Sequence, residues 1–334
     1  MYLLSFFNGH PPVFLVIFTS LNSIYLVESD KKLQCPPASN FIDNYTQFFI
    51  CKRSIGKDQP VIYAVQTENL ETSMITSSPL IVVIGDMFDT TTPLNDPIVK
   101  AYLFRGSDNI VYVQHLLTFQ KIYCPFSYTQ IIAQTLNDFL LKIYSINSKV
   151  TPNNTHLIGL GMGAVIAGQA ALDIPHVKFN RLTGLDPTLF FSSIPSDPYV
   201  YPLRPSLTDF TDVYHTNVGM IGRFDIMGDV DIYFNNDVQM PGCNKSNLCS
   251  HKKAAEYYAE AVYSLQGMWG IPCYAEVALH FHLNQNILCK FCSNINDMVL
   301  VGEYMSYNLR GAFKVLTNSE PPYTNGKFIK ILYI

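Results

Sequence analysis

The segment Thr155-His156-Leu157-Ile158-Gly159-Leu160-Gly161-Met162-Gly163-Ala164 constrains this chain most. An apolar run with strand character enters a tight turn with glycines at alternate positions. A small-residue stretch from Ala164 to Leu172 reads as the helix that leaves it. That order is the setting of the nucleophile elbow G-x-S-x-G, where a strained strand-to-helix turn lifts a serine hydroxyl above a sheet. Gly159 and Gly163 take the outer positions, and Gly161 takes the position of the serine. The elbow carries nothing that could attack a carbonyl. Alone, a Gly-rich strand-turn-helix would serve a phosphate-binding turn equally well.

The downstream segments separate the two readings. Arg181-Leu182-Thr183-Gly184-Leu185-Asp186-Pro187 reads as a second apolar strand ending on Asp186. Asp212-Val213-Tyr214-His215-Thr216-Asn217 and Asp229-Val230-Asp231-Ile232-Tyr233-Phe234-Asn235 follow. Then come Gln239-Met240-Pro241-Gly242-Cys243 and Cys249-Ser250-His251-Lys252-Lys253-Ala254. The order elbow, Asp, His is that of an α/β-hydrolase triad.

Together these segments resemble the pancreatic-lipase family, with its I-G-H-S-L-G-A-H-x-A-G elbow and its R-I-T-G-L-D-P-A, D-V-I-H-T, D-F-Y-P-N-G-G and P-G-C…C-S-H-x-R-A motifs. Gly311 to Pro321 is similar to the family's closing G-x-F-Y-L-x-T-N-S segment, and the collinear match runs from about Leu80 to Tyr323. The resemblance implies an α/β-hydrolase fold with a mostly parallel central sheet and helices on both faces. The resemblance places a lipase-like domain at 80–334, preceded by an N-terminal segment at 30–79, while the apolar run near the start reads as part of a signal peptide at 1–29. The C-terminal β-sandwich of vertebrate digestive lipases is not expected.

By the same resemblance, Asp186 and His251 hold the aspartate and histidine positions of the triad, and Met87 and Met162 the two oxyanion-hole positions. Several parts of the site depart from the family pattern. Gly85-Asp86-Met87 stands where His-Gly-Phe is usual, and an aspartate there would oppose negative charge on a reacting oxygen. Val113-Gln114-His115 replaces V-D-W. Pro202-Leu203-Arg204-Pro205-Ser206-Leu207 replaces R-L-D-P-S-D, so the acidic pair that binds calcium in some members becomes Arg204 and Leu207. No metal and no cofactor are expected. The remaining polar residues read as structural: His156 and His215 as satisfied histidines, Asp225 and Asp231 as solvated loop or strand-edge residues, and Ser250 as no substitute nucleophile.

Composition bears on compartment and partners. With 48% hydrophobic and 14% charged residues in 334, the chain reads as one globular domain. A net charge of -4 without a basic stripe argues against nucleic acid. Val13 to Val27 is short for a membrane span and suits the core of a cleaved signal peptide, although no basic residue precedes it; an uncleaved anchor is the alternative. Eight cysteines fit an exported disulfide framework better than a zinc site. The family motif implies a Cys243–Cys249 bridge, and analogy implies Cys35–Cys124. Asn44, Asn153 and Asn244 head N-x-S/T sequons, as glycosylation of a secreted protein requires.

The loop between Cys243 and Cys249 is short, like that of the phospholipase branch. Insect yolk proteins likewise resemble lipases without the nucleophile. The expectation is a secreted, catalytically inactive lipase-family protein that binds lipid or another apolar small molecule as a storage, yolk-like or carrier protein. Contact with a membrane surface or lipoprotein is consistent with that role. The alternative is a secreted lipase or phospholipase with residual activity. Glycine in place of serine is expected to open apolar space above the elbow, lined by Met87, Phe88 and Met162, unless neighbouring side chains collapse into it.

Overall fold

The computed structural model describes residues 2–5, 14–17, 24–27, 46–53, 60–75, 79–87, 91–107, 109–115, 125–174, 178–189, 202–235, 238–275, 289–291 and 297–327. Three short strands, β1 (Tyr2–Ser5), β2 (Phe14–Ile17) and β3 (Ile24–Val27), pair antiparallel in a small sheet of their own. The main sheet begins with β4 (Thr46–Lys52) and β5 (Val61–Val65). Both lie in the stretch read as a separate N-terminal segment, yet β4 pairs antiparallel with β7 (Ile110–His115) and extends the same sheet.

At the sheet's centre lie β6 (Leu80–Ile84), β8 (Thr155–Leu160), β9 (Arg181–Leu185), β10 (Phe210–His215), β11 (Val230–Phe234) and β15 (Gly311–Val315). The order β15-β11-β10-β9-β8-β6-β7 is parallel throughout. Beyond β15, β12 (Met268–Ala275) runs antiparallel and pairs with β13 (Cys289–Phe291) and β14 (Val299–Val301). A parallel sheet is stable only when both faces are covered, which is why its central strands are apolar along their whole length.

Alternation divides those side chains between two cores. Leu80, Val82, Ile84, Val111, Val113 and Leu157 face α2 (Pro125–Ile146) and α3 (Met162–Asp173). Ile81, Val83, Ile110, Tyr112, Ile158 and Leu160 face α1 (Pro97–Arg105) and α4 (Asn247–Tyr263). Helix α1 is closed at both ends by its sequence. The Asp96 carboxylate accepts the N–H groups of Ile98 and Val99, Pro97 follows it, and Gly106 ends the helix left-handed. Helix α3 is different. It is apolar nearly all round and buried from Met162 to Ala171, as a helix sunk between sheet and neighbours must be.

Candidate active site

The elbow lies where β8 meets α3. Gly161 has φ 56°, in the left-handed region that favours glycine, and it occupies the N-cap position of α3. Gly163 lets the helix approach the sheet: a Cβ there would stand 2.3 Å from the Ile84 carbonyl oxygen. The side-chain volume missing from this turn is what brings the helix start, with its unpaired N–H groups, against the carboxyl end of β6.

Asp186 follows the last residue of β9 and has φ 42°. Its Oδ1 accepts the N–H groups of Thr216 (2.8 Å) and Asn217 (2.9 Å), just beyond β10. Its Oδ2 accepts Nδ1–H of His251 at 2.6 Å. His251 projects from α4, whose start is fixed twice: the Ser246 hydroxyl caps it by accepting the Cys249 N–H, and Cys243 and Cys249 form a disulfide. Ser250 is buried, and its hydroxyl accepts the Met240 N–H. Asp186 and His251 are thus held in contact from elements 65 residues apart.

Asp86 reaches further into the site than its place in the motif implied: its carboxylate lies against the Met162 N–H, one of the two positions the resemblance assigned to an oxyanion hole. Oδ1 accepts the Met162 N–H at 2.9 Å. Oδ2 lies 3.4 Å from His251 Nε2, an ion-pair contact too long for a tight hydrogen bond. A Cβ on Gly161 would fall 2.4 Å from Asp86 Oδ1 and 2.9 Å from His251 Nε2. The apolar space expected over Gly161 is therefore filled, and filled by a charge. Met87 and Met162 are buried, and Phe88 lies outside the described residues. The loop carrying Asp86 is pinned from behind by His115, whose Nε2–H donates to the Gly85 carbonyl at 2.8 Å.

The electrostatics follow from one imidazole between two carboxylates. Burial favours the neutral ring, but the hydrogen bond to Asp186 and the pairing with Asp86 outweigh it and push His251 up to about 10. Burial also opposes charge on Asp86. The pairing with His251 and the N–H groups of Met162 and Met87 overcome that and hold the carboxyl below its ordinary range. Both carboxylates favour the charged ring, and that form has no lone pair free to accept a proton as general-base catalysis requires.

The other named residues fall into place around this centre. His156 donates Nε2–H to the Thr183 hydroxyl (2.8 Å), which in turn donates to Asp212. His215 directs Nε2 to Asp231 (2.9 Å) and Nδ1 to the Arg223 carbonyl (3.1 Å). Asp231 is fully buried on β11 and also accepts the Met227 and Gly228 N–H groups, so its reading as a solvated residue is corrected. Alternation along β11 turns it inward, where His215 supplies the compensating charge. Asp225 is partly exposed and pairs with Arg223. Arg204 is exposed and Leu207 packs on the core edge. Among the described residues no His, Cys, Asp and Glu cluster is disposed to hold a metal ion.

Asn153 and Asn244 are exposed. Asn44, Cys35 and Cys124 lie outside the described residues. Cys273 is disulfide-bonded, whereas Cys51 is a buried free thiol, which departs from a framework using all eight cysteines.

A sequence profile of the family described as Lipase matches residues 25–299. The pancreatic lipase-related protein 2 of Cavia porcellus is 32% identical over 142 residues, covering 40% of this chain and 32% of that protein. The inactive pancreatic lipase-related protein 1 of Homo sapiens is 34% identical over 166 residues, covering 42% of this chain and 34% of that protein. The chain thus spans about a third of the length of the curated relatives it matches. Among solved structures, an α/β hydrolase enzyme from a Medee basin deep-sea metagenome library aligns with TM-score 0.32 and 16% identity, covering 53% of this chain and 72% of that one. With the elbow, the Asp186–His251 pair and the parallel sheet in the order required, and the family profile matching residues 25–299, this chain belongs to the pancreatic-lipase family and has the α/β-hydrolase fold.

Proposed function

We propose that this protein is a secreted member of its family that has lost ester hydrolysis and serves as a lipid-binding, storage or carrier protein. The observation that carries the reading is the pair formed by Gly161 and Asp86. No nucleophile stands at Gly161, and a carboxylate holds both the volume of such a side chain and the Met162 N–H that would help stabilise a tetrahedral oxyanion. Loss of a triad nucleophile alone removes about 10⁶ in turnover. What normally remains comes from the oxyanion hole and binding, and here that hole already contains a negative group.

Secretion is supported by the disulfides at Cys243–Cys249 and Cys273 and by the exposed sequons at Asn153 and Asn244. No helix among the described residues is long and apolar enough to cross a membrane. Lipid binding on this reading uses the protein's rim and not a cavity over the elbow. Met220, Ile226 and Leu248 are large, apolar and exposed. Met220 and Ile226 follow Asn217 in the chain, and Asn217 donates to Asn247 at the start of α4, which carries Leu248 and His251.

The test has two arms. Short-chain ester, triglyceride and phospholipid hydrolysis by the purified protein should stay at background. Saturable turnover abolished by His251→Ala would overturn the inactive reading. Lipid extraction and native mass spectrometry of the secreted protein should show bound lipid; its absence, together with no saturable binding of a fatty-acid probe, would overturn the lipid-binding part.

A further inference from the structure

Three observations converge at the N-terminus of α3. The Met162 N–H, at the positive end of a twelve-residue buried helix, points at a single oxygen, Asp86 Oδ1, at 2.9 Å. His251 is 1% exposed, and its Nε2 has no close hydrogen-bond acceptor; it faces the same carboxylate at 3.4 Å. Asp186, fully buried, fixes the opposite edge of the ring, so Nε2–H is aimed at that point whatever occupies it. A backbone N–H and an imidazole N–H converging on one carboxylate make a receptor for a carboxylate.

We propose that the former oxyanion hole is a carboxylate-binding site whose resident ligand is the protein's own Asp86 side chain, so that Gly161 and Asp86 are one coupled change. This rests on the inactive reading above but goes beyond it: it assigns the site a ligand class and a reason for remaining closed. The tethered carboxylate excludes any free one by proximity, since its ordering was completed on folding. Glycine at 161 is what admits it, because any Cβ there would overlap Asp86 Oδ1. Removing the Asp86 carboxylate leaves the Met162 N–H and Nε2 of His251 without an acceptor while Asp186 still holds the other edge of the ring, and buried donors left unsatisfied favour recruiting an anion.

The experiment uses the full secreted chain, its Asp86→Ala and Asp86→Asn variants, and acetate and octanoate as probes. Thermal unfolding and the ring resonances of His251 are followed as carboxylate is added at constant ionic strength. In Asp86→Ala, both probes should raise the melting temperature saturably and shift the His251 ring resonances with the same saturation. The unmodified protein should not respond. Asp86→Asn, which keeps the volume and one oxygen, should respond at least tenfold more weakly than Asp86→Ala.

A folded Asp86→Ala that binds neither acetate nor octanoate overturns the proposal, as does an unmodified protein that binds them equally well. Should Asp86→Ala not fold, the unmodified protein still decides: a neutral His251 ring at pH 7.5 means Asp86 is not the ligand inferred. Ester hydrolysis, assayed on the same samples, reports on the inactive reading separately, because carboxylate binding can succeed whether or not turnover is found.

Discussion

Asp86 Oδ1 occupies the place of a side chain at Gly161, 2.4 Å from where the missing Cβ would stand. Restoring the serine therefore collides with a buried, hydrogen-bonded group before any chemistry can begin. Gly161→Ser should lower stability by about 1–3 kcal/mol through overpacking at a positive φ. The double variant Gly161→Ser with Asp86→Gly should recover much of that loss, giving a coupling energy well above experimental error in a double-mutant cycle. Urea midpoints for the four proteins measure it. Additive losses would mean the two positions do not share space.

The Asp86–His251–Asp186 arrangement sets a pH window. The His251 value rises from an ordinary 6.5 to about 10, so its contribution is complete below pH 6.5 and is lost as pH climbs through about 10. The Asp86 value falls below the ordinary 3.8, so its contribution is complete above that pH and is lost as acid brings the carboxyl to its lowered folded value. Both are present together between about pH 4 and 6.5, where this site stabilises most. Denaturant midpoints should decline from pH 7 toward pH 10, and His251→Gln should flatten that limb. A limb equally steep in the variant would place the titration elsewhere.

The elbow, the order of Asp186 and His251, and the parallel sheet were legible because each is written in consecutive residues with a fixed period. Asp86 was not. Its placement depends on a hydrogen bond to a residue 76 positions away, and a local motif comparison sees only that a glycine is missing there. Two departures of opposite volume, serine to glycine at 161 and a carboxylate at 86, were the available signal: one makes the room the other fills. Asp231 failed for a related reason, since only the sheet brings His215 beside it. The antiparallel β4 and β5 carry too short a pattern to distinguish an edge strand from a connecting segment.

The cysteines give a chemical check on the fold. Non-reducing peptide mapping should recover Cys243 and Cys249 in one linked pair, and a free thiol at Cys243 would contradict the structure. Cys51 should behave in the opposite way. Burial, aided by the nearby Asp96 carboxylate, pushes its thiol up to about 12, so almost no thiolate exists at neutral pH. Iodoacetamide should leave it unmodified in the native protein and alkylate it once the protein is denatured. Rapid labelling under native conditions would show that β4 does not pack as described.

The largest single stability effect outside the site should come from the opposite end of the parallel strands. Arg181, at the start of β9, is fully buried and binds Asp212 at 2.8 and 2.9 Å in a two-pronged pair. Its remaining donors go to the Gly302 and Glu303 carbonyls. These contacts tie β9 and β10 to the segment after β14. Removing one partner of a buried pair leaves the other charged and unsolvated, which costs about 3–5 kcal/mol. Asp212→Asn should fall near the lower figure, because Glu303 stands within 3.4 Å of the guanidinium and compensates part of its charge. The partly exposed Arg223–Asp225 pair offers the contrast: Asp225→Asn should cost no more than about 1 kcal/mol, as solvent screens it. Equilibrium unfolding of the two variants side by side tests the ranking. Comparable losses would mean that Arg181 is reached by water and that the buried network does not hold the strand ends.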